Sequence, residues 1–295
     1  MTNSMQANYL LIDGVLRPNA IASLYQLGEP LEIEPLYLGT RWTELNDLGP
    51  ILVKPHGSSS ILRNWQQNEL ARDDSCPLFS RFSLNDVAEH LRHFIAPLDV
   101  NGGNGLLRFA DPLVMHYWLS SYGQEHLSHV LGPIETIWTK SPVHSWRAPV
   151  ATSITPFPRV QSKESREKNF ALLGEQQLSA LELAYRWQFK ERLYAWLNIR
   201  DAQTFSLLNE DQIEWWLEHV MDSANAWGLV SERGMVTWAE ACVDWGRDFT
   251  SNPDSPYQEW LIQNPEKARL APELRIEALD DYRQQTLAAK DTANG

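Results

Sequence analysis

The sequence has 295 residues, of which 43% are hydrophobic and 11% aromatic, so it can bury one large core or two ordinary ones. Its formal net charge of -13 and its lack of lysine or arginine clusters argue against nucleic acid and anionic lipid as partners. Cys76 and Cys242 match no zinc or disulfide spacing, and no apolar run is long enough to span a membrane. We therefore expect a cytoplasmic protein with no cofactor, whose partner is a protein or a small molecule.

The first half alternates short apolar runs with helical patterns, which is typical of an α/β domain. The strands are expected at residues 9–13, 34–38, 50–54, 78–82 and 134–139. Helices are expected between them, at 18–27, 61–71, 83–95, 113–119 and 125–130. Together these elements predict a mixed sheet with flanking helices over residues 1–140.

Three local signals mark where these elements begin or turn. Ser83 and Asp86 have the spacing of a capping box, and Asp111 with Pro112 has the pattern of an N-cap followed by a first helical residue. The glycine-rich run 101–105 separates two extended runs, at 98–100 and 106–110, as a hairpin turn does.

The spacing of the apolar residues changes in the second half of the chain. Residues 141–169 are rich in Pro, Ser and Thr and are expected to form a linker or a long connecting segment. Residues 170–285 carry apolar side chains at helical spacing, which predicts an all-α lobe with proline breaks near its end, followed by a polar tail at 286–295. The predicted apolar stripe of the first of these helices ends in Leu193 and Trp196.

Two histidine pairs, His90 with His93 and His126 with His129, share an i, i+3 spacing. A zinc site needs three or four ligands, and metalloprotease helices use an i, i+4 pair, so neither copy fits. We interpret these side chains as ordinary polar residues and predict no metal site.

Signals for catalysis are equally weak. Gly102, Gly103 and Gly105 precede an extended run and lack a Walker lysine, which favours a turn over a phosphate loop. The serines at 58–60 follow His56, but no G-x-S-x-G elbow occurs, and Cys76 precedes a proline without any catalytic signature. A triad that assembles only in space remains open as an alternative.

Tryptophan is the unusual feature of the composition, with 13 residues, of which eight follow the predicted linker. Trp215 and Trp216 are adjacent, so both cannot face one stripe of a helix, and at least one must point to a boundary or a partner. Packing inside the protein is the commoner reason for such a pair, but aromatic anchors also dominate protein interfaces. The pair is therefore our candidate partner contact.

The first half resembles the N-terminal domain of the type VI secretion effector adaptor family. The resemblance rests on an ordered series of segments rather than on one motif. These segments are YLLIDG (9–14), LYLGT (36–40), LGPILV (48–53), VAEHLRHF (87–94), LLRFADP (106–112) and LGP (131–133).

One family run departs from its usual form, which is similar to R-F-Y-D-P-R. Arg108, Phe109, Asp111 and Pro112 match it, whereas Ala110 replaces the aromatic residue and a leucine replaces the second arginine. The matching residues are expected to act structurally, as a helix start and its brace, and the departure puts any partner contact there in doubt.

The resemblance implies a bacterial, cytoplasmic, non-catalytic chaperone that holds one effector and loads it onto the VgrG spike, with effector choice in the helical lobe. Two alternatives stay open. One is a hydrolase or transferase with no recognisable site motif, and the other is an immunity protein that masks a toxin.

Overall fold

The computed structural model describes residues 6–57, 59–68, 70–147, 153–160 and 170–294. The chain divides into two compact units. The first comprises Met1–Val143 and Pro149–Arg186, and the second comprises His144–Ala148 and Trp187–Gly295. Compactness alone does not test where folding domains end, so the predicted domain limits remain a proposal.

A six-stranded sheet organises the first unit. Its strands are β1 (Tyr9–Asp13), β2 (Leu31–Pro35), β3 (Pro50–Pro55), β4 (Ser75–Phe79), β5 (Thr136–Lys140) and β6 (Ile154–Pro158). They lie in the order β2-β3-β1-β4-β5-β6, and every pairing is antiparallel. The predicted class, a sheet with flanking helices followed by a mostly helical region, is confirmed, with an antiparallel sheet in place of the mixed one.

The alternation of strands and helices explains why a mixed sheet was expected. β1 and β2 run in the same direction, but β3 lies between them and pairs antiparallel with both. In the same way, β1 lies between β3 and β4. The helical connections from β1 to β2 and from β3 to β4 therefore join strands of like direction that are not neighbours, whereas the longer helical connection from β4 to β5 joins antiparallel neighbours. Local patterns do not reveal this arrangement.

Both faces of the sheet are covered, which is why the central strand β1 is buried along its whole length. The helices are α1 (Ala20–Gln26), α2 (Ile61–Gln67), α3 (Leu84–Arg92), α4 (Pro112–Ser120) and α5 (Gln124–Leu131). Alternate residues of β1 point to opposite faces: Tyr9 and Leu11 pack with α3, α4 and α5, whereas Leu10 and Ile12 pack with α1 and α2.

The predicted caps are confirmed, but the predicted hairpin is wrong. Ser83 and Asp86 form a reciprocal capping box, and Asp111 caps α4. Instead of pairing with residues 106–110, Asp99 forms an isolated parallel bridge with Leu173. The physical reason is that Leu107 donates its amide to the carbonyl of Ile95 and turns into the core, which leaves the partner strand unformed.

The second unit is built from helices. They are α6 (Glu175–Arg200, shared with the first unit), α7 (Glu210–Trp227), α8 (Glu232–Trp245), α9 (Pro256–Gln263) and α10 (Pro272–Asn294). Asn209 and Gln212 form the capping box of α7, and the helix ends at Gly228. Within the described ranges, none of these helices combines the length and apolar character that a bilayer span requires.

Candidate partner-binding surfaces

The family run around Arg108 lies against the end of β1. One terminal guanidinium nitrogen of Arg108 is 3.1 Å from each carboxylate oxygen of Asp13 and 3.5 Å from Oδ2 of Asp111. The Asp13 and Asp111 side chains are only 5% and 3% exposed. The arginine therefore brings one positive charge to two buried carboxyl groups, which would otherwise be costly to desolvate.

Asp111 also begins α4, because its Oδ1 accepts hydrogen bonds from the amides of Leu113 and Val114. Burial raises the pKa of Asp111, and the Arg108 charge opposes that rise. Phe109 and Ala110 are fully buried, and Pro112 is the first helical residue. In this structure, therefore, the run joins a strand end to a helix start and presents little side-chain surface.

The four histidines do not assemble into a metal site. His90 is buried, with Nε2 2.7 Å from the carbonyl of Val130, whereas His93 and His126 are exposed and His129 is buried. No group of three or more potential ligands occurs in the part of the chain that the structure describes.

The remaining candidate side chains from the sequence analysis form polar contacts within the chain. Oδ1 of Asp99 accepts the amides of Asn101 and Gly103, which fills the place where a phosphate would bind in the glycine-rich loop. Ser59 and Ser60 both donate to a neighbouring glutamate, Glu29, at 2.5 Å. Ser58 lies outside the described residues.

His56 pairs with a different carboxylate, that of Glu32, at 2.5 Å. Cys76 is fully buried on β4, and burial raises the pKa of its thiol well above its ordinary value.

The adjacent tryptophans point in different directions. Trp216 is half-buried and packs edge-on against Phe205, with ring centroids 5.3 Å apart. Trp215 is 54% exposed; its ring stacks on His219 at 5.0 Å and lies 4.4 Å below the guanidinium of Arg247. The exposed member thus forms a flat aromatic and cationic surface on α7.

Sequence reasoning missed a buried histidine at the start of the second unit. The His144 ring lies parallel to the rings of Trp146 and Trp187, at centroid distances of 4.1 and 4.7 Å. Its Nδ1 is 2.6 Å from Glu191, and its Nε2 is 3.7 Å from Glu214. These five residues come from three chain segments, so only tertiary structure brings them together.

A second missed feature is the exposure of Trp196, which the predicted stripe of α6 placed in the core. The buried side chains follow a spacing of four residues, through Phe189, Leu193 and Leu197. Trp196 lies about 100° around the helix from Leu197 and is 48% exposed. It lines a cleft of about 530 Å³ between α6, α8 and α10.

Comparison with known proteins supports the resemblance seen in the sequence. Residues 8–129 match the family described as "Domain of unknown function (DUF4123)". A curated relative, Accessory protein VasW of Vibrio cholerae, is 28% identical over 116 residues, which are 39% of this chain. The chain spans only 38% of that relative's length. No solved structure matches the chain.

The matched residues contain β1–β4 and α1–α4 together with Asp13, Arg108 and Asp111, and they end within α5. The LGP run at 131–133 lies just beyond them. Residues 8–129 therefore match the DUF4123 family, and the resemblance of the first half to the type VI secretion effector adaptor family is confirmed.

Proposed function

We propose that this protein is a non-catalytic cytoplasmic adaptor that binds one type VI secretion effector and loads it onto the VgrG spike. The observation that carries the proposal is the DUF4123 match over residues 8–129, which contain all but the last of the ordered family segments. The relative named as an accessory protein adds support. An adaptor needs a shaped surface that holds and releases a client, rather than activated catalytic groups.

We also propose that the helical unit contacts the effector through the pair Trp215 and Trp216, of which Trp215 is the exposed member. Trp215 is more than half exposed, yet its ring contacts both Arg247 and His219. A tryptophan that is ordered before binding loses little conformational entropy, which is the character of an interface hot spot.

The test is a pull-down of the tagged protein from its own host, with mass spectrometry, beside a secretion assay in a deletion strain. We expect a VgrG-type spike protein and one toxin-like client to co-purify, and secretion of that client alone to stop. Failure to recover either protein while the secretion apparatus is intact would contradict the proposal and favour an enzyme. A partner that loses its toxic activity but is still exported without this chain would identify an immunity protein.

Trp215→Ala tests the contact itself. Loss of a hot-spot tryptophan should reduce client recovery by about tenfold or more. Ile262→Ala is the matched control, because Ile262 is 81% exposed on the same unit but is not part of the Trp215 stack. Equal recovery with the two variants would remove Trp215 from the contact and leave the adaptor function standing.

A further inference from the structure

A cleft of about 530 Å³ lies between α6, α8 and α10 in the second unit. Its apolar floor consists of the buried Phe189 and Leu193 and the partly buried Val236, and Trp196 forms one wall. A volume of about 530 Å³ lies within the range of clefts that hold ligands, and such clefts combine an apolar lining with a few placed polar groups.

A network of charged side chains holds the Trp196 ring in place. The indole Nε1 donates to Oε1 of Glu240 at 2.8 Å, and Arg283 binds the other oxygen of the same carboxylate. Arg283 is only 5% exposed and also binds Asp244 and Asp280, at 2.8 and 2.6 Å. The indole is therefore anchored at its polar edge, while the rest of the ring faces the cleft.

An anchored, half-exposed tryptophan at an open apolar cleft has the properties of a binding site. Ile199 lies three residues further along the same face of α6 and is 81% exposed, so the apolar surface continues beyond the cleft. Clustered exposed apolar side chains rimmed by charges mark interaction surfaces. The fixed ring lowers the ordering cost of binding.

The charged side chains of the second unit indicate the net charge of a partner that would bind in the cleft. Each arginine at the rim already has an acidic partner: Arg192 is 2.5 Å from Glu232, and Arg233 is 3.6 Å from Glu277. The second unit as a whole contains 19 acidic and 11 basic side chains. The second unit therefore carries a net negative charge, which favours a cationic partner.

We propose that this cleft binds an amphipathic helix of a protein partner, with apolar side chains on the Trp196 wall and lysine or arginine on the flanks. A cleft between helices with apolar side chains in its lining suits helix-in-groove binding, with anchors at i, i+3 or i+4 and i+7. The identity of the partner as the effector rests on the proposed function, whereas the binding chemistry does not.

The test uses the full-length protein and two synthetic helical peptides of about 18 residues, five turns of helix. Both peptides carry the same leucine stripe, and their flanks are lysine in one and glutamate in the other. Isothermal titration calorimetry should detect the lysine peptide, with affinity that falls as salt is raised, and the glutamate peptide should bind at least tenfold more weakly. Equal affinities, or no binding of either peptide, would overturn the proposal.

Two variants locate the binding. Trp196→Ala should weaken the affinity for the lysine peptide by about tenfold or more. Thr237→Arg should weaken binding of this peptide to a similar extent, because it places a large cationic side chain from α8 in the cleft. It does so without removing an apolar core side chain. Ile262→Ala is the control, because Ile262 is 81% exposed on the same unit but does not line the cleft, and it should leave the affinity within about twofold.

Binding that survives both cleft variants would refute the assignment. Because the peptides do not involve the effector or the spike, this result is separate from the pull-down. If the cleft binds no peptide but the protein still captures its client, the inference about the cleft is refuted and the adaptor function is not.

Discussion

Arg108 donates hydrogen bonds to both carboxylate oxygens of Asp13, at 3.1 Å each, and so connects two positions that lie 95 residues apart in sequence. Asp13 in turn accepts the amides of Val15 and Leu16, which shapes the chain as it leaves β1. A single guanidinium thus orders the end of the central strand and the start of α4.

Replacing Arg108 with alanine should lower the free energy of unfolding by about 2 kcal/mol, as judged by chemical denaturation. The variant leaves the buried carboxylates of Asp13 and Asp111 without their cation, although the partial exposure of Arg108 moderates the loss. Arg81→Ala is the control: that arginine is 79% exposed in its pair with Glu135, and its loss should cost less than about 1 kcal/mol. Similar stabilities for the two variants would argue against a bracing role.

Gly132 should not tolerate a side chain. Its φ of +53° is strained for other residues, and an added Cβ would lie 2.4 Å from the imidazole of His90. Gly132→Ala should therefore cost more than Gly28→Ala, because Gly28 has a similar φ of +63° but open space around it. We expect about 1 kcal/mol for Gly28→Ala and at least about 2 kcal/mol for Gly132→Ala. Equal losses in thermal melts would mean that the contact with His90 contributes nothing.

Glu191 should stabilise the second unit in a pH-dependent way. Burial by itself raises the pKa of Glu191, but hydrogen bonds from His144 and Ser145 outweigh it and lower the pKa below the ordinary 4.5. A lowered carboxyl pKa gives stability that is present above the unfolded-state pKa and is lost as the pH falls through the folded-state pKa.

Glu191→Gln should accordingly be less stable than the natural protein at neutral pH. The difference should shrink as the pH falls below about 4.5. Denaturation curves across this range measure it, with the exposed Glu266→Gln as control. A difference that stays constant with pH would show that the ionised carboxylate does not contribute.

Both cysteines should be unreactive in the folded protein. Burial raises the pKa of Cys242 to about 12, although the charge of Arg247 partly opposes this rise. Burial also raises the pKa of Cys76 well above its ordinary value. Because the thiolate is the reactive form, a thiol reagent at mildly alkaline pH should label neither residue until denaturant is added. Rapid labelling of either cysteine in the native state would mean that its surroundings open readily.

Sequence patterns predicted well what depends on near neighbours. The capping box at Ser83 and the start of α4 at Asp111 involve residues two or three positions apart, so the local sequence contains the whole signal. The ordered family segments likewise lie in the chain and agree with the DUF4123 match.

Sequence patterns gave wrong predictions where contacts with a distant segment of the chain determine the structure. The run at 98–100 pairs with Leu173 rather than with its expected hairpin partner, and helical periodicity alone did not separate Trp196 from the buried stripe. A shift of one residue on a helix turns a side chain by about 100°, enough to move it from core to surface.

The sequence by itself therefore determined the elements, their caps, the acidic charge and the family resemblance, because each is set by residues close together in the chain. Only the tertiary structure decided which tryptophans are exposed, how His144 is enclosed and where the cleft lies. Those features arise from side chains on separate helices and segments, and their distances become defined only when the helices pack.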